Sequence, residues 1–400
     1  MERSGREMPG RNKLRFWAAA VVPFLFALSL TSTQLVNSVD TLRLLVWNTP
    51  QLNWAVPLFP PQPALVRTTG PTPGDAGEQG ALYVPEGKGR YPGLILLSGL
   101  SARGWRNPQV ETLSKSLAAL HIAVYVPDLP GLGHARVTMK ALGALDGDIR
   151  WLSNSAYVKS TRISLLGVCA GASLAILAAE NKDTSSLVQA VVAIDPYARM
   201  RDLVEAATTG RVSAGHGLSE TFAMDPWAVW ALAHSTASTI GNLASRALLL
   251  HRIGAQTAVD PLAYFRNNPP PGDLSPAAGA WWRVWANRSE SAFAGLYEAL
   301  PATVRAELSE LSPGGKIASL TVPVLVIAPT IDTAYPPMEG YRLVDGNPRM
   351  VNLTVSPLMN HVTPDLGEAG PFDLLNLWRF AYQTVATVRQ ISPGGMPSLF

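Results

Sequence analysis

The residues with the clearest chemical potential form the segment Gly167-Val168-Cys169-Ala170-Gly171. This Gly-x-Cys-x-Gly pattern stands between an apolar run typical of a strand and a small-residue run typical of a helix, so we expect a sharp strand-to-helix turn with Cys169 at its tip. Glycine at 167 and 171 avoids side chains that would clash in so tight a turn. The N-terminus of the following helix would stabilise a thiolate. The pattern predicts that Cys169 is a nucleophile.

A nucleophile needs a base, and the base needs a group that orients it. His361 follows the last apolar run, and Asp332 follows the run Val322–Ile327. Both therefore stand just past the carboxyl ends of predicted strands, where a parallel sheet places its ligands. Asp195, after the run Val188–Ile194, is an alternative acid, and the sequence leaves the choice open.

An acyl-transfer site also needs donors for the negative charge that develops on the carbonyl oxygen. The peptide N–H of Ala170 is predicted to supply one of them. The loop after the apolar run Gly93–Leu97 is predicted to supply the other, from Leu100.

Each of these residues also has a purely structural interpretation. Cys169 could be a small buried apolar residue, or the turn could have lost its catalytic role. His361 could be an ordinary loop histidine. We favour catalysis because the residue types, their chain order and their places after strands all agree.

The elements that position these residues alternate between short apolar runs and helical segments, as in an α/β fold with a mostly parallel sheet. Residues 64–196 are predicted to form the first part of this core and residues 319–400 the second part. Residues 197–318 lack convincing strands and hold five of the eleven tryptophans. They are predicted to form a helical cap inserted between two late strands, with some of its tryptophans lining an apolar pocket.

The N-terminus has a pattern of its own. An uncharged, strongly apolar run follows a basic tail, so residues 1–35 are predicted to be a signal anchor or a cleaved signal peptide. The catalytic part would then be membrane-anchored outside the cytoplasm, or secreted. Residues 36–63 are predicted to be a linker, although Leu42, Leu44, Leu45 and Trp47 suggest a short amphipathic helix on the membrane or on the catalytic domain.

Composition argues against other classes of function. The net charge is +3, and the first fifteen residues alone carry five basic side chains against two acidic ones, so the rest is formally neutral. A neutral body is poor support for a nucleic-acid groove. The single cysteine excludes an intramolecular disulfide, and no metal-ligand motif is present, so neither metal nor cofactor is expected.

Residues 64–390 resemble the α/β-hydrolase superfamily, in which nucleophile, acid and histidine occur in this order. A cysteine in the turn is similar to dienelactone hydrolases and, in that feature only, to polyester synthases. The resemblance implies that Cys169 is the nucleophile, His361 the base and Asp332 its partner. It implies hydrolysis of an ester, lactone or thioester of a small hydrophobic acyl substrate. Acyl transfer by the same triad, or an inactive fold that only binds hydrophobic ligands, are the alternatives.

Overall fold

The computed structural model describes residues 32–60, 64–69, 80–215, 218–254, 260–367 and 369–389. An eight-stranded sheet forms the centre of this part of the chain. In chain order its strands are β1 (Ala64–Thr69), β2 (Gly80–Pro85), β3 (Gly93–Leu97), β4 (Ala123–Val126), β5 (Ile163–Val168), β6 (Val188–Ile194), β9 (Val324–Pro329) and β10 (Val351–Ser356).

The strand order across the sheet is β1-β2-β4-β3-β5-β6-β9-β10. The pairs β1–β2 and β2–β4 are antiparallel, and all other neighbours are parallel. The continuous apolar runs of β3 and β4 are buried along their whole length, as expected of strands covered on both faces. The predicted α/β class with a mostly parallel sheet is confirmed.

Helices cover both faces of the sheet. One face packs against α3 (Met139–Ser153) and α4 (Ala170–Glu180), and the other against α1 (Ser32–Asn48), α2 (Pro108–Ala119) and α13 (Pro371–Val388). A further helix, α12 (Met338–Gly346), joins β9 to β10. Because side chains alternate along a strand, Leu165 belongs to the first core and Leu166 to the second.

The segment predicted as a cap is mainly helical. Its helices are α5 (Met200–Thr209), α6 (Pro226–Ala237), α7 (Leu243–Gly254), α8 (Ala263–Asn267), α9 (Pro276–Ala286), α10 (Glu290–Glu298) and α11 (Ala302–Glu310). It also contains an antiparallel hairpin of β7 (Arg211–Gly215) and β8 (Leu218–Thr221), which corrects the expectation that no strands occur here. A second small hairpin, β11 (Met359–Asn360) with β12 (Thr363–Pro364), flanks His361.

Most cap tryptophans are structural. Trp281, Trp282 and Trp285 are fully buried and pack edge-on or stacked with one another and with Phe265. Trp227, at the start of α6, is different, because 46 % of it is exposed and it borders the cavities described below. The apolar area that Trp281, Trp282 and Trp285 bury explains their presence without any ligand.

The expected linker, residues 36–63, is instead largely folded. Helix α1 packs on the core, and a 3-10 helix (Pro50–Leu58) follows it. The guanidinium of Arg389, directly after α13, donates to the carboxylate of Asp40, to the side-chain oxygen of Asn37 and to the backbone oxygen of Leu120. The prolines at positions 57, 60, 61 and 63 come only after α1, so they do not interrupt it.

Residues 1–35 are the predicted signal or anchor, and residues 1–31 of this segment lie outside the described residues. Among the described helices, none combines the length and the apolar character that a bilayer span requires. The anchored or secreted location stays a prediction.

Candidate active site

Cys169 occupies the turn between β5 and α4, with φ 54° and ψ −126°. A Cβ on Gly167 would lie 2.3 Å from the carbonyl oxygen of Gly171, and a Cβ on Gly171 would lie 2.4 Å from that of Ser98. Both positions therefore require glycine. A positive φ in a residue with a side chain costs about 1–3 kcal/mol and persists only where the surroundings enforce it. Here it presents the thiol to the cavities beside the sheet.

His361 and two carboxylates meet at the same edge of the sheet. The Nδ1 of His361 lies 2.6 Å from Oδ2 of Asp195 and 2.9 Å from Oδ2 of Asp332. The longer contact has hydrogen-bond geometry, whereas the Oδ2 of Asp195 has no well-aligned partner. Asp195 and His361 also have positive φ values, of 51° and 52°. The structure thus brings both candidate acids to one ring nitrogen, and the other ring nitrogen remains to interact with Cys169.

The electrostatics of Cys169 and His361 favour an ion pair. Burial by itself raises the pKa of the Cys169 thiol, but the charge and hydrogen bond of His361, with further hydrogen bonds from Tyr335 and Ala170, bring it below its usual value. Burial by itself lowers the pKa of His361, but the thiolate and the two carboxylates raise it above its usual range. Both shifts favour a thiolate next to an imidazolium over two neutral groups.

The pKa values of Asp195 and Asp332 are shifted in opposite directions, because two adjacent buried carboxylates cannot both ionise easily. Burial raises the pKa of Asp195 well above its usual value, and a hydrogen bond to Asp332 and the negative charge of Asp332 also raise it. Burial also opposes ionisation of Asp332, but hydrogen bonds from His361, Asp195 and the Ala334 N–H lower its pKa to about 2. These opposite shifts favour ionisation of Asp332 over ionisation of Asp195.

Tyr335 is a site residue that the sequence did not indicate. Its hydroxyl oxygen lies 3.2 Å from Sγ of Cys169, and its ring contacts His361 edge-on with centroids 5.9 Å apart. Tyr197 packs edge-on against it, and the hydroxyl of Tyr197 donates to the backbone oxygen of Leu311. No motif precedes Tyr335, and its position three residues after Asp332 is the only signal that the sequence carries.

The two expected donors of the oxyanion hole lie beside the thiol. The N–H of Ala170 is close enough to Cys169 to lower the thiol pKa. The loop after β3 passes over the turn, because a Cβ on Gly99 would lie 3.1 Å from the Cβ of Cys169, and Leu100 follows directly. Both residues keep the predicted role as a proposal.

Two cavities meet at Cys169. The larger, about 550 Å³, lies between the sheet and helices α1, α2 and α13. The smaller, about 180 Å³, lies between the sheet and the cap. Four residues border both of them, namely Leu100, Cys169, Trp227 and His361.

Asp195, Asp332 and His361 offer ligand atoms within 4.8 Å of one another, and this is a set that a metal ion could use. The separations of 2.6 and 2.9 Å from Nδ1 are those of direct contacts between a histidine and its acids. Direct contacts among the three side chains therefore account for this cluster.

This turn, its histidine and its acids lie on the sheet of an α/β hydrolase. A model of the family described as "alpha/beta hydrolase fold" matches residues 92–362, and the chain belongs to that family. No curated protein matches the sequence.

Solved structures similar to this chain include DcsB in complex with its substrate analogue (14 % identity, 83 % of this chain and 100 % of that chain, TM-score 0.46). Others are the thermophilic esterase Est2 from the Planctomycetes species Thermogutta terrifontis (13 % identity, 83 % and 95 %, TM-score 0.46) and esterase B from Lactobacillus Rhamnosis (13 % identity, 95 % and 98 %, TM-score 0.46). Sequence identities and TM-scores this low do not support any conclusion about the activity of this chain.

Proposed function

We propose that this protein hydrolyses carboxylic esters, lactones or thioesters through a covalent intermediate on Cys169. The observation that carries the proposal is the contact set at one sheet edge, where Cys169 in its strained turn interacts with His361 and His361 contacts two carboxylates through Nδ1. This combination of nucleophile, base and orienting acid is what two-step acyl transfer requires.

In the first step the Cys169 thiolate attacks the carbonyl carbon and forms a C–S bond, and the carbonyl oxygen takes the negative charge. The N–H groups of Ala170 and Leu100 would hold that oxygen. When the bond to the leaving group breaks, the imidazolium of His361 gives its proton to the departing oxygen or sulfur. The thioester on Cys169 remains.

In the second step neutral His361 takes a proton from water as the water oxygen attacks the thioester carbon. The C–S bond then breaks, the acid leaves and the thiolate–imidazolium pair is restored. Asp332 would keep Nδ1 protonated throughout, so that the other ring nitrogen exchanges the proton. If an alcohol replaced water, the same site would transfer the acyl group instead.

The test is hydrolysis of p-nitrophenyl butyrate by Cys169→Ala and His361→Gln, with His251→Gln as the matched control because His251 is exposed on α7. We expect activity to fall at least 1,000-fold in the first two variants and to be unchanged in the control. Undiminished hydrolysis by Cys169→Ala would refute the assignment of Cys169 as the nucleophile.

An electrophilic ester probe should add its mass to the peptide that contains Cys169, as read by mass spectrometry. Adding an acceptor alcohol at low concentration then separates hydrolysis from transfer, because only a transferase forms mainly the new ester. A protein that binds hydrophobic esters but neither turns them over nor is labelled would be a binding protein on this fold.

A further inference from the structure

The larger cavity at Cys169 has an apolar floor formed by the sheet. Val168, Ile194 and Ile327 line it near the thiol, and Leu96, Leu166 and Val192 line it further from the thiol. The register places Leu96 beside Leu166 and Leu166 beside Val192, so the second row crosses three parallel strands. At about 3.3 Å per residue, the floor extends roughly 10 Å from Cys169 along the strands.

Three helices form the walls of this cavity. The lining residues of α13 are Leu377, Phe380, Ala381 and Thr384, which have the spacing of a single helical face. Helix α2 contributes Val110, Leu113 and Leu117 at the same kind of spacing, together with Pro108, Gln109 and Thr112 from its N-terminal half. Helix α1 contributes Leu44, Leu45, Trp47 and Asn48. Helix α1 thus closes a cavity that would otherwise be open between the other two helices and the sheet.

The cavity under the cap differs in size and in lining. It has about a third of the volume, and the polar residues Asp225, Ser235 and Thr333 line it together with apolar cap residues. Since the two cavities meet at Cys169 and His361, a carbonyl group at the thiol would direct its two substituents into different spaces. The larger space favours the longer hydrocarbon chain.

We propose that the cavity between the sheet and helices α1, α2 and α13 binds a long unbranched hydrocarbon chain, so that the substrates are esters or thioesters of medium- to long-chain fatty acids. This assignment rests on the hydrolytic function proposed above. Its volume of about 550 Å³ is within the usual range of small-molecule sites, roughly 300–1,000 Å³. Each methylene that enters such a site increases binding about fourfold.

Ala381→Phe tests the proposal, because Ala381 is buried on the lining face of α13 and a phenyl ring there would fill part of the cavity. Gln383→Phe is the matched control, since Gln383 is half-buried on the same helix and does not line the cavity. Leu113→Trp on α2 is a second filling variant in case the first does not fold. Thermal melting establishes that each variant is folded.

The assay is kcat/KM for p-nitrophenyl esters from acetate to dodecanoate. In the wild type and in Gln383→Phe we expect kcat/KM to rise with chain length. In Ala381→Phe and Leu113→Trp we expect the ratio of decanoate to acetate to fall at least tenfold, with acetate changed less than threefold. Identical chain-length profiles in wild type and filling variants would overturn the proposal.

Binding of dodecanoic acid to the full chain, followed by calorimetry, separates the two proposals. Saturable binding that Ala381→Phe weakens at least tenfold and Gln383→Phe leaves unchanged would support the cavity assignment even if no ester is hydrolysed, and then only the hydrolytic function fails. Hydrolysis of acetate without any binding of dodecanoic acid would overturn the cavity assignment alone.

Discussion

Replacing Asp332 by Asn tests which of two carboxylates serves His361. The substitution keeps the size of the side chain and removes the ionised acid 2.9 Å from Nδ1. The matched variant, Asp195→Asn, changes the acid whose pKa is raised by burial, so its amide closely imitates the protonated carboxyl group. Activity should therefore depend much more on Asp332 than on Asp195, although the contact of Asp195 with Nδ1 is the shorter one.

The magnitude follows from the pKa of Asp332, which is lowered from 3.8 to about 2. That difference corresponds to about 2.5 kcal/mol in favour of the carboxylate, or roughly 60-fold in an equilibrium. Its causes include Asp195 and Ala334 besides His361, so we expect Asp332→Asn to lower kcat/KM by about 10- to 60-fold. This is far less than the roughly 10,000-fold typical of losing a sole acid, because Asp195 can then ionise and take over.

The assay is the pH dependence of kcat/KM for p-nitrophenyl butyrate in both single variants and in the double variant. Asp195→Asn should lower kcat/KM less than about fivefold. The double variant should lower kcat/KM about 10,000-fold, which is more than the product of the two single effects. A larger loss in Asp195→Asn than in Asp332→Asn would refute the assignment and make Asp195 the orienting acid.

Three further predictions test other parts of the site and core. Tyr335→Phe removes the hydroxyl 3.2 Å from Sγ of Cys169, so it should lower kcat/KM roughly 10- to 100-fold and move the pH profile of iodoacetamide alkylation of the thiol to higher pH. Glu180→Gln should stabilise the protein at pH 9, because burial raises the pKa of Glu180 to about 8 and its ionisation in the fold then costs on the order of 5 kcal/mol. The gain, measured as urea unfolding, should disappear below pH 4.5, where the side chain is protonated in both states, and an equal gain at pH 4 would contradict the reasoning. Gly171→Ala should lower the free energy of unfolding by about 1–3 kcal/mol or more, since the new Cβ would meet the backbone oxygens of Ser98 and Leu97, and an unchanged urea midpoint would refute the clash.

The local patterns of the chain were sufficient to predict the sheet elements. The strands Gly93–Leu97 and Val188–Ile194 have the predicted bounds, because a continuous apolar run bounded by turn residues has few alternatives. The cap hairpin of β7 and β8 was missed, since its short polar strands lack an apolar pattern. Helix α1 was predicted only as a short amphipathic segment, because what stabilises it is packing on distant parts of the chain.

The sequence by itself determined the turn at Cys169 and the candidates His361, Asp332 and Asp195, since residue types and chain order after strands carry that information. Only the tertiary structure decided that both acids reach the same nitrogen of His361, and that burial raises the pKa of Asp195. The tertiary structure also places the Tyr335 hydroxyl next to the thiol of Cys169, and helix α1 closes the larger cavity. The physical reason is that pKa values and cavities depend on groups far apart in the chain, and no local pattern specifies their distances.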